Sequence, residues 1–526
     1  MNLKKQPEVI KGIVKKGEYF DSVSLMIAAH KINQMQGVID SAVVMGTKEN
    51  KTILKTSGFL IEEFQKAEDT DLLIAVKSEN EDIAGGVLAN IDNELKNIRK
   101  KEGTTREFAP RSFEKAVESL PGANFSLISV PGKYAADEAR KALEKGLHVM
   151  IFSDNVPIEK EVELKKYAQK NNLLVMGPDC GTAIINGVPL AFANVVKRGN
   201  IGIVAASGTG LQEVTSLISN GGGGISQAIG TGGRDVKKEV GGITFISALK
   251  ALAEDKNTGV ILLVSKPPHP EVLKKIGKVT LKMKKQVVGV FLGADPRHLQ
   301  DCGLTPAPDL EAGAISSLDI AGIKHNYHSQ PGMDIEETAN GIVEKLNKGQ
   351  KYLRALFTGG TFCSETQVIF KDMPDIYSNV PIPPFAFLKD AGESEKHTVI
   401  DLGDDRFTLG KPHPMMDFST RNERLLREAG DKETAVILLD LVLGYGANMN
   451  PVPELVPVIK QAKQRALDAG RDIPVICSVT GTDEDPQDRG YVVQALKEAG
   501  VIVCRSNAQA SKLCKRIIEK ISCEGH

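Results

Sequence analysis

The feature that most constrains the fold is a repeated alternation of short apolar runs, glycine-rich loops and amphipathic segments, clearest between Arg198 and Glu239. One apolar run spans residues 201–206 and ends at small residues: Ser207, Gly208, Thr209 and Gly210. Apolar residues then recur with helical spacing: Leu211, Val214, Leu217 and Ile218. This pattern predicts a strand, a tight loop and an amphipathic helix.

The small residues at the start of this predicted helix favour an anion site. Thr209 and Gln212 have the spacing of a capping box, so we expect free backbone N–H groups in the first turn beside side chains too small to cover them. Phosphate and carboxylate bind well at such a helix start. An ordinary βα turn without a ligand explains the same residues equally well.

A second copy of this design follows later in the chain. The run from Ala355 ends at Gly359 and Gly360, and a helix is predicted to open at Thr361. Two helix starts that attract anions suggest one phosphate held between them. We therefore predict that the loop residues at both helix starts bind phosphate: Ser207, Gly208, Thr209, Gly210, Gly359, Gly360 and Thr361.

Composition narrows the class of partner and the compartment. Lys plus Arg number 66 and Asp plus Glu 67, so nothing in the charge points to nucleic acid or to an acidic membrane. No apolar stretch has the length of a bilayer span, and the first residues lack a secretory signal's apolar core, so we expect a cytoplasmic protein. The seven cysteines form no CxxC pair, which argues against structural zinc, and no metal site is predicted.

At 526 residues the chain is too long for one core, and we predict an α/β protein of four domains. Residues 1–118 favour an α+β sandwich of ferredoxin-like type, and 119–195 a short α/β segment. Residues 196–347 and 348–526 each carry about five strand and helix units, as in a flavodoxin-like doubly wound sheet. The last strand of the first such domain is predicted at 319–325, DIAGIKH.

Three residues at the end of another predicted strand are candidates for substrate binding: Asp179, Cys180 and Gly181. Open parallel sheets bind their ligands at the carboxyl ends of their strands, which is where this segment lies. Cys180 has no basic neighbour in the sequence, so a packed thiol is favoured over a nucleophile.

Three further polar residues occupy equivalent strand ends. Arg234 can grip two anionic oxygens, although a solvated surface arginine is an equal alternative. His413 lies between two prolines and is a candidate acid or base, with an exposed loop histidine as the commoner alternative. Asp440 is a charged residue near the end of an apolar strand, so it is expected to accept backbone N–H bonds or to meet a cation, and we include it among the substrate-binding residues.

Several segments resemble a known superfamily when taken in order: VPGKYAADEARKALEKGLHVMIFSDNVP, GPDCGTAIING, RGNIGIVAASGTG and GTGGRD. They are similar to the α subunit of succinyl-CoA synthetase and to other NDP-forming acyl-CoA synthetases, and the final third resembles their second ligase domain. The whole arrangement most resembles the FdrA family. The resemblance implies that 119–195 is a partial Rossmann-like CoA-binding-type domain, followed by two ligase-type domains in tandem.

The resemblance also implies an activity. Some members of the FdrA family are assigned as a subunit of oxamate carbamoyltransferase in anaerobic allantoin breakdown. That reaction converts oxalurate and phosphate into oxamate and carbamoyl phosphate, and it implies separate partner subunits. In this reaction phosphate or carbamoyl phosphate is the substrate, and no cofactor is certain.

One departure from the synthetases is informative. Their phosphorylated histidine occurs in a GHAGAI motif, whereas this chain has LEAGAI at 310–315, so Glu311 takes the histidine's place. A carboxylate does not replace imidazole as a stable phosphoryl carrier in the same way, and we predict that the phosphohistidine relay is lost. No stretch is long enough for a separate nucleotide-grasp domain.

The leading interpretation is therefore a carbamoyltransferase subunit, with Arg234 as a charge clamp and His413 as acid or base. Two alternatives stay open. One is a nucleotide-dependent acyl-CoA ligase subunit whose missing parts lie on another chain, which alone would require CoA or a nucleotide. The other is a scaffold subunit that keeps the fold without the chemistry.

Overall fold

The computed structural model describes residues 9–18, 20, 22–47, 50–51, 54–55, 57–101, 110, 112–327, 333–408 and 412–524. The chain forms two compact units. The first consists of Met1–Ala123 with Asp405–Pro412, and the second of Asn124–Asp404 with His413–His526.

The first unit contains an antiparallel sheet made of Val9–Lys15 (β1), Val38–Met45 (β2) and Leu72–Ser78 (β3), in the order β1-β3-β2. Its helices are Ser22–Asn33 (α1), Glu62–Gln65 (α2), Glu81–Lys101 (α3) and Phe113–Ser119 (α4). Side chains alternate along β3, so Leu72 and Ile74 pack into one core and Leu73 into another. This central strand is apolar on both faces because both are covered.

The second unit begins with a small parallel sheet. Its strands are Phe125–Ile128 (β4), His148–Ile151 (β5) and Val175–Met176 (β6), and its helices are Gly132–Glu144 (α5) and Ile158–Lys170 (α6). The strand predicted to end before Asp179 is thus reduced to two paired residues, β6, before the chain turns at Gly177.

The next sheet contains seven strands among the described residues, in the order β13-β12-β11-β9-β10-β7-β8. Its strands are Thr182–Ile185 (β7), Val188–Ala191 (β8), Arg198–Ala205 (β9), Ile225–Gly230 (β10), Val260–Ser265 (β11), Gln286–Phe291 (β12) and Thr305–Pro306 (β13). Its helices are Gly208–Asn220 (α7), Ile243–Glu254 (α8), Pro270–Thr280 (α9), Pro296–Asp301 (α10) and Leu310–Ile320 (α11). From β9 onward the strands are parallel and have the 2-1-3-4-5 order of flavodoxin-like folds.

A second parallel sheet repeats this plan, in the order β16-β15-β17-β14-β18-β19-β20. Its strands are Tyr352–Phe357 (β14), Ile376–Ser378 (β15), Ala386–Phe387 (β16), His397–Asp401 (β17), Thr434–Val442 (β18), Val475–Thr480 (β19) and Ile502–Cys504 (β20). The helices after α11 are Ile335–Val343 (α12), Gly360–Ile369 (α13), Asp405–Thr408 (α14, in the first unit), Ser419–Gly430 (α15), Pro451–Asp468 (α16), Arg489–Glu498 (α17) and Asn507–Glu524 (α18).

The two seven-stranded sheets share one apolar core. A single cluster of buried side chains includes Leu211 and Val214 of α7, Phe362 of α13 and Ile517 of α18. Burial of aliphatic and aromatic side chains stabilises a fold by about 1.5–3 kcal/mol for each side chain, so this cluster holds the two sheets in a fixed relation. The carboxyl ends of β9 and β14 are positioned by it.

The predicted α/β class with tandem flavodoxin-like domains is confirmed, and two local expectations are wrong. Residues 319–325 do not form a strand: α11 continues to Ile320, and a turn follows. The β7–β8 hairpin lies inside the predicted 119–195 domain but pairs with β10 of the following sheet. None of the described helices is long and apolar enough to cross a membrane.

Candidate functional site

The α7 helix starts directly after β9 at Ser207. Its Oγ accepts a hydrogen bond from the backbone N–H of Gly210 at 3.1 Å, so Ser207 is the N-cap. The predicted capping box on Thr209 is therefore wrong, because Ser207 already has the extended backbone that a cap requires. The N–H groups of Gly208 and Thr209 have no acceptor within the helix.

The α13 helix starts in the same way after β14. Its N-cap residue is Gly359, which has no side chain. The first backbone N–H groups of α13 therefore receive no side-chain cap from Gly359. This ten-residue helix directs its positive end toward the loop, as α7 does.

The structure brings these two helix starts into contact. Ser207 Oγ and Thr361 Oγ1 lie 2.5 Å apart and share a hydrogen bond. A Cβ atom on Gly359 would lie 2.7 Å from Thr209 Cγ2 and 2.9 Å from Thr209 Oγ1, which leaves no room for a side chain there. Glycine at 359 is thus required by the close approach of the two loops.

The Ser207–Thr361 pair keeps one hydroxyl proton available. A hydrogen bond between two hydroxyls uses one O–H, and the second O–H is free to bond to another acceptor. Together with two sets of free backbone N–H groups, this pair forms a small region rich in donors. Its electrostatics suit a compact anion.

A third element, β7, contributes a buried hydroxyl to this region. Thr182 Oγ1 is buried and makes no hydrogen bond within the described residues, and it lies 3.5 Å from where a Cβ atom of Gly208 would be. A buried hydroxyl without a partner is unfavourable by about 1–3 kcal/mol, which is offset if a ligand accepts its proton. Thr182 therefore points independently to an acceptor at the start of α7.

Replacement of Thr182 by Val should weaken phosphate binding about tenfold, because one donor of about 1.4 kcal/mol is lost. The melting temperature should stay unchanged or rise, since no internal hydrogen bond is broken. Titration calorimetry with inorganic phosphate measures the first effect and thermal denaturation the second. Unchanged phosphate affinity in this variant would show that the hydroxyl faces no ligand.

Thr280→Val is the matched control for that experiment. Thr280 Oγ1 is also buried, but it donates within α9 and toward Cys302 O, at distances of 3.2 Å to Ile276 O and 3.3 Å to Gly277 O. This variant should lose stability and keep its affinity for phosphate.

A carboxylate adjoins the start of α13. A Cβ atom on Gly360 would lie 2.6 Å from Asp401 Oδ2, so the glycine makes room for this carboxylate. Asp401 Oδ1 accepts the backbone N–H of Gly403 at 2.9 Å, and the backbone of Asp401 is held on both sides by the Asn379 side chain. Burial raises the pKa of Asp401 to about 6.

His413 also lies beside Gly403. A Cβ atom at Gly403 would be 2.8 Å from His413 Nε2 and 3.1 Å from Asp401 Oδ1, so the two groups are neighbours. His413 Nδ1 accepts the N–H of Met415 at 3.2 Å, which places the neutral ring's proton on Nε2. Burial lowers the pKa of His413 to about 4, so at neutral pH the ring is an uncharged donor.

Asp440 holds the loop that precedes α13 through hydrogen bonds from Thr358. It is fully buried and accepts two bonds from Thr358, from N and from Oγ1, each at 2.8 Å. Arg421 lies 3.6 Å from its Oδ1. Asp440 thus meets both kinds of partner expected from the sequence, and burial raises its pKa. A role in substrate binding stays a prediction.

Arg234 is engaged elsewhere in the same unit. Its Nη2 pairs with Glu161 Oε2 at 2.9 Å and donates to Val156 O at 2.8 Å. Glu161 also pairs with Lys165, whose Nζ lies 2.7 Å from Asp235 Oδ1. These contacts fix the GTGGRD loop, residues 230–235, against α6. A role for Arg234 in binding phosphate stays a prediction.

The Asp179–Gly181 segment lies beside the GTGGRD loop. Asp179 is exposed, with a left-handed backbone at φ 54°, and Cys180 is buried. Burial raises the pKa of the Cys180 thiol to about 12, which leaves almost no thiolate at neutral pH. The expected packed thiol is what the structure contains, and substrate binding by Asp179, Cys180 and Gly181 is still a prediction.

Two buried carboxyl groups, one on α7 and one on α13, form hydrogen bonds to residues of other elements of the second unit. Glu213 of α7 accepts the N–H of Asn507 at 3.0 Å and bonds to Thr480. Glu365 of α13 accepts the N–H of Leu310 at 2.8 Å and a proton of the Asn507 amide at 2.7 Å. Burial raises the pKa of Glu213 to about 7 and that of Glu365 to about 8.

Glu311, at the place of the synthetases' histidine, is held by two partners. Its carboxylate pairs with Arg505 Nε and accepts from Ser506 Oγ at 2.5 Å. It borders a cleft of about 350 Å³ that is also lined by Asp309 and Lys512, themselves an ion pair at 2.7 Å. The Glu311 side chain thus acts as a fixed member of an ion pair.

Sequence reasoning missed Asp401 and Thr182. The available signal for Asp401 was its place at the end of an apolar run, two residues before Gly403, since strand ends bear ligand groups in such sheets. Nothing in the sequence marks Thr182. Among the described residues there is no group of three or more His, Cys, Asp or Glu side chains that could hold a metal ion.

Comparison with known families gives three matches along the chain. The profile described as "AllF, heavy metal-associated domain" matches residues 8–110, the CoA binding domain matches 196–293, and the CoA-ligase family matches 356–517. The CoA-binding match therefore lies downstream of residues 119–195, for which the family resemblance implied a CoA-binding-type domain.

Among curated relatives, the uncharacterized protein YahF of Escherichia coli is 41% identical over 97% of this chain and 99% of its own length. The α subunit of the ADP-forming succinate–CoA ligase of Aquifex aeolicus is 34% identical over 44% of this chain and 69% of its own length. Among solved structures, PH0766 from Pyrococcus horikoshii is 16% identical over 78% of this chain and 87% of its own, with a TM-score of 0.31.

Proposed function

We propose a function from the premise that this chain belongs to the family of FdrA-like, succinyl-CoA synthetase-like proteins that includes YahF. We propose that this chain is a carbamoyltransferase subunit that binds phosphate between the starts of α7 and α13. The reaction is that of oxalurate with phosphate, which yields oxamate and carbamoyl phosphate. The observation that carries the proposal is the direct contact between the two helix starts, at Ser207 and Thr361.

Carbamoyl transfer to phosphate needs two things that this site supplies. Phosphate must be held as a nucleophile, for which the first-turn N–H groups of both helices and the free hydroxyl proton of the Ser207–Thr361 pair are suited. The carbonyl oxygen gains negative charge as phosphate attacks, and it needs preorganised donors. The Nε2–H of His413 is a neutral donor of this kind, so we assign it to the oxyanion rather than to proton transfer.

The contacts of Glu311 support a mechanism in which the enzyme is not phosphorylated. Its carboxylate is already engaged with Arg505 and Ser506, and a phosphoryl acceptor in that position would first have to break both contacts. In the proposed reaction phosphate attacks the carbamoyl carbon directly. No residue of the chain carries a phosphoryl group.

The second candidate is a subunit of an NDP-forming acyl-CoA synthetase, and the family matches favour it more directly. Both the CoA-binding and the CoA-ligase profiles match the part of the chain that holds the site. The two candidates share the formation of an acyl-type phosphate at one anion site. They differ in whether CoA and a nucleotide take part.

A product assay separates them. The full chain, isolated with any subunits that accompany it, is given carbamoyl phosphate and oxamate, and separately CoA, succinate and ATP. The proposal predicts phosphate release that depends on oxamate, and no phosphorylated chain after incubation with labelled ATP. The double variant Thr209→Ala, Thr361→Ala should lose this turnover.

Turnover that requires CoA and nucleotide, with label on the chain, would establish the ligase instead. Oxamate-dependent turnover that survives the double variant would move the phosphate away from the helix starts. If neither reaction occurs in the complete complex, the chain is a scaffold.

A further inference from the structure

Asp401 is a carboxylate that adjoins the start of α13 in the proposed anion site. Its Oδ2 lies 2.6 Å from where a Cβ atom of Gly360 would be, at the first residue of α13. Simple anion sites at helix starts avoid a negative charge there, because it repels the ligand and competes with it for the N–H groups. A carboxylate in this place therefore calls for a ligand that can donate a hydrogen bond to it.

The groups that act on Asp401 come from several elements. The N–H of Gly403 and the charge of Lys266, which follows β11, favour the carboxylate, whereas Asp404 and Asp440 disfavour it. His413 is a neutral neighbour. Asp401 is thus an anion at neutral pH and becomes protonated when the pH falls below about 6.

We infer that Asp401 selects phosphate that bears a hydrogen, by accepting its P–O–H, and that it carries this proton during the transfer; the second half of the inference rests on the proposed function. The buried hydroxyl of Thr182, which makes no hydrogen bond within the described residues, gives independent evidence for an acceptor at the start of α7, which contacts the start of α13 through Ser207 and Thr361. The proposed ligand then meets donors from the starts of α7 and α13 and from Thr182, and the carboxylate of Asp401 as an acceptor.

The proton balance of the step is complete without another reactant. Hydrogen phosphate forms an O–C bond to the carbamoyl carbon, and the C–N bond to the leaving amide breaks. Asp401 takes the proton from the phosphate hydroxyl and gives it to the departing nitrogen, so that oxamate leaves as a neutral amide. The carboxylate ends the step ionised, as it began.

Sulfate is the probe that tests the selection directly, because at pH 7.5 it has the size and shape of phosphate but no proton to donate. The full chain should bind inorganic phosphate at least tenfold more tightly than inorganic sulfate. In Asp401→Asn this preference should fall to near unity, mainly through tighter sulfate binding. A gain in sulfate affinity also shows that the variant is folded.

The pH dependence supplies a second readout. Wild-type affinity for sulfate should rise as the pH falls through about 6, since protonation removes the repelling charge, and this rise should be absent in Asp401→Asn. Asp404→Asn, which removes a neighbouring carboxylate and leaves Asp401 in place, should keep the preference for phosphate.

The results also separate this inference from the proposed function. If phosphate and sulfate bind equally to the wild type, Asp401 does not select the anion, whatever the chain catalyses. If the preference is present but Asp401→Asn keeps the wild-type kcat for carbamoyl transfer, the carboxylate selects phosphate without moving its proton. If phosphate binds selectively and carbamoyl transfer is absent, the function is wrong and the selection stands.

Discussion

Gly359→Ala should lower both phosphate affinity and turnover about a hundredfold. The added Cβ would lie 2.7–3.0 Å from three atoms of Thr209, so the two helix starts have to separate or Thr209 has to turn into the site. Displacement of a binding group by about 1 Å commonly lowers rates by about a hundredfold. Phosphate titration and the carbamoyl-transfer assay measure the two losses.

Two controls show whether contact between the loops is the cause. The double variant Gly359→Ala, Thr209→Gly removes every Thr209 atom that the new methyl meets and keeps the backbone N–H of residue 209, so it should bind phosphate more tightly than Gly359→Ala alone. Gly341→Ala adds a methyl group to α12 with nothing within 4 Å, and it should behave as the wild type. Full affinity in Gly359→Ala would mean that the spacing of the two helix starts is irrelevant to the ligand.

Lys165→Met should destabilise the second unit by about 3–5 kcal/mol, the largest stability effect that we expect in this chain. The ammonium group is fully buried and bonds to Glu161 at 2.9 Å, to Asp235 at 2.7 Å and to Thr231 O at 3.0 Å. Its removal leaves the buried carboxylates of Glu161 and Asp235 without the cation that they share. Urea unfolding followed by circular dichroism measures the loss.

Lys166→Met is the matched control, because this neighbouring lysine on α6 is exposed. Its unfolding curve should overlay that of the wild type. The double variant Glu161→Gln, Lys165→Met also removes the carboxylate charge of Glu161. It should be more stable than Lys165→Met alone. An unchanged curve for Lys165→Met alone would show that the buried cluster is not a source of stability.

The local parts of the fold could be predicted because they depend on short-range patterns. The apolar run at 201–206, the small residues after it and the helical spacing from Leu211 gave β9, the loop and α7. Residues 319–325 were assigned wrongly because a short apolar run does not distinguish a strand from the end of a helix. Here Leu318 packs beside Gly221 and Gly223 near the end of α7, which favours the helical end.

The contacts that make the site could only be suspected from the sequence. Ser207 and Thr361 are 154 positions apart, and two similar loops predict a shared ligand without giving the distance between them. Arg234 looked available for an anion, yet its pairing with Glu161 depends on how α6 packs. Thr182 was missed because its environment, and not its sequence context, sets it apart. Asp401 has the strand-end position as a signal, but its contact with the start of α13 is visible only in the fold.

The most direct test of phosphate binding between the two helix starts is a crystal structure of the full chain grown in phosphate. We predict tetrahedral density within about 3 Å of the first N–H groups of both α7 and α13, with one oxygen toward Asp401. Phosphate found instead in the cleft beside Arg505 and Lys512, with the Ser207–Thr361 pair unchanged and the helix starts empty, would contradict the account.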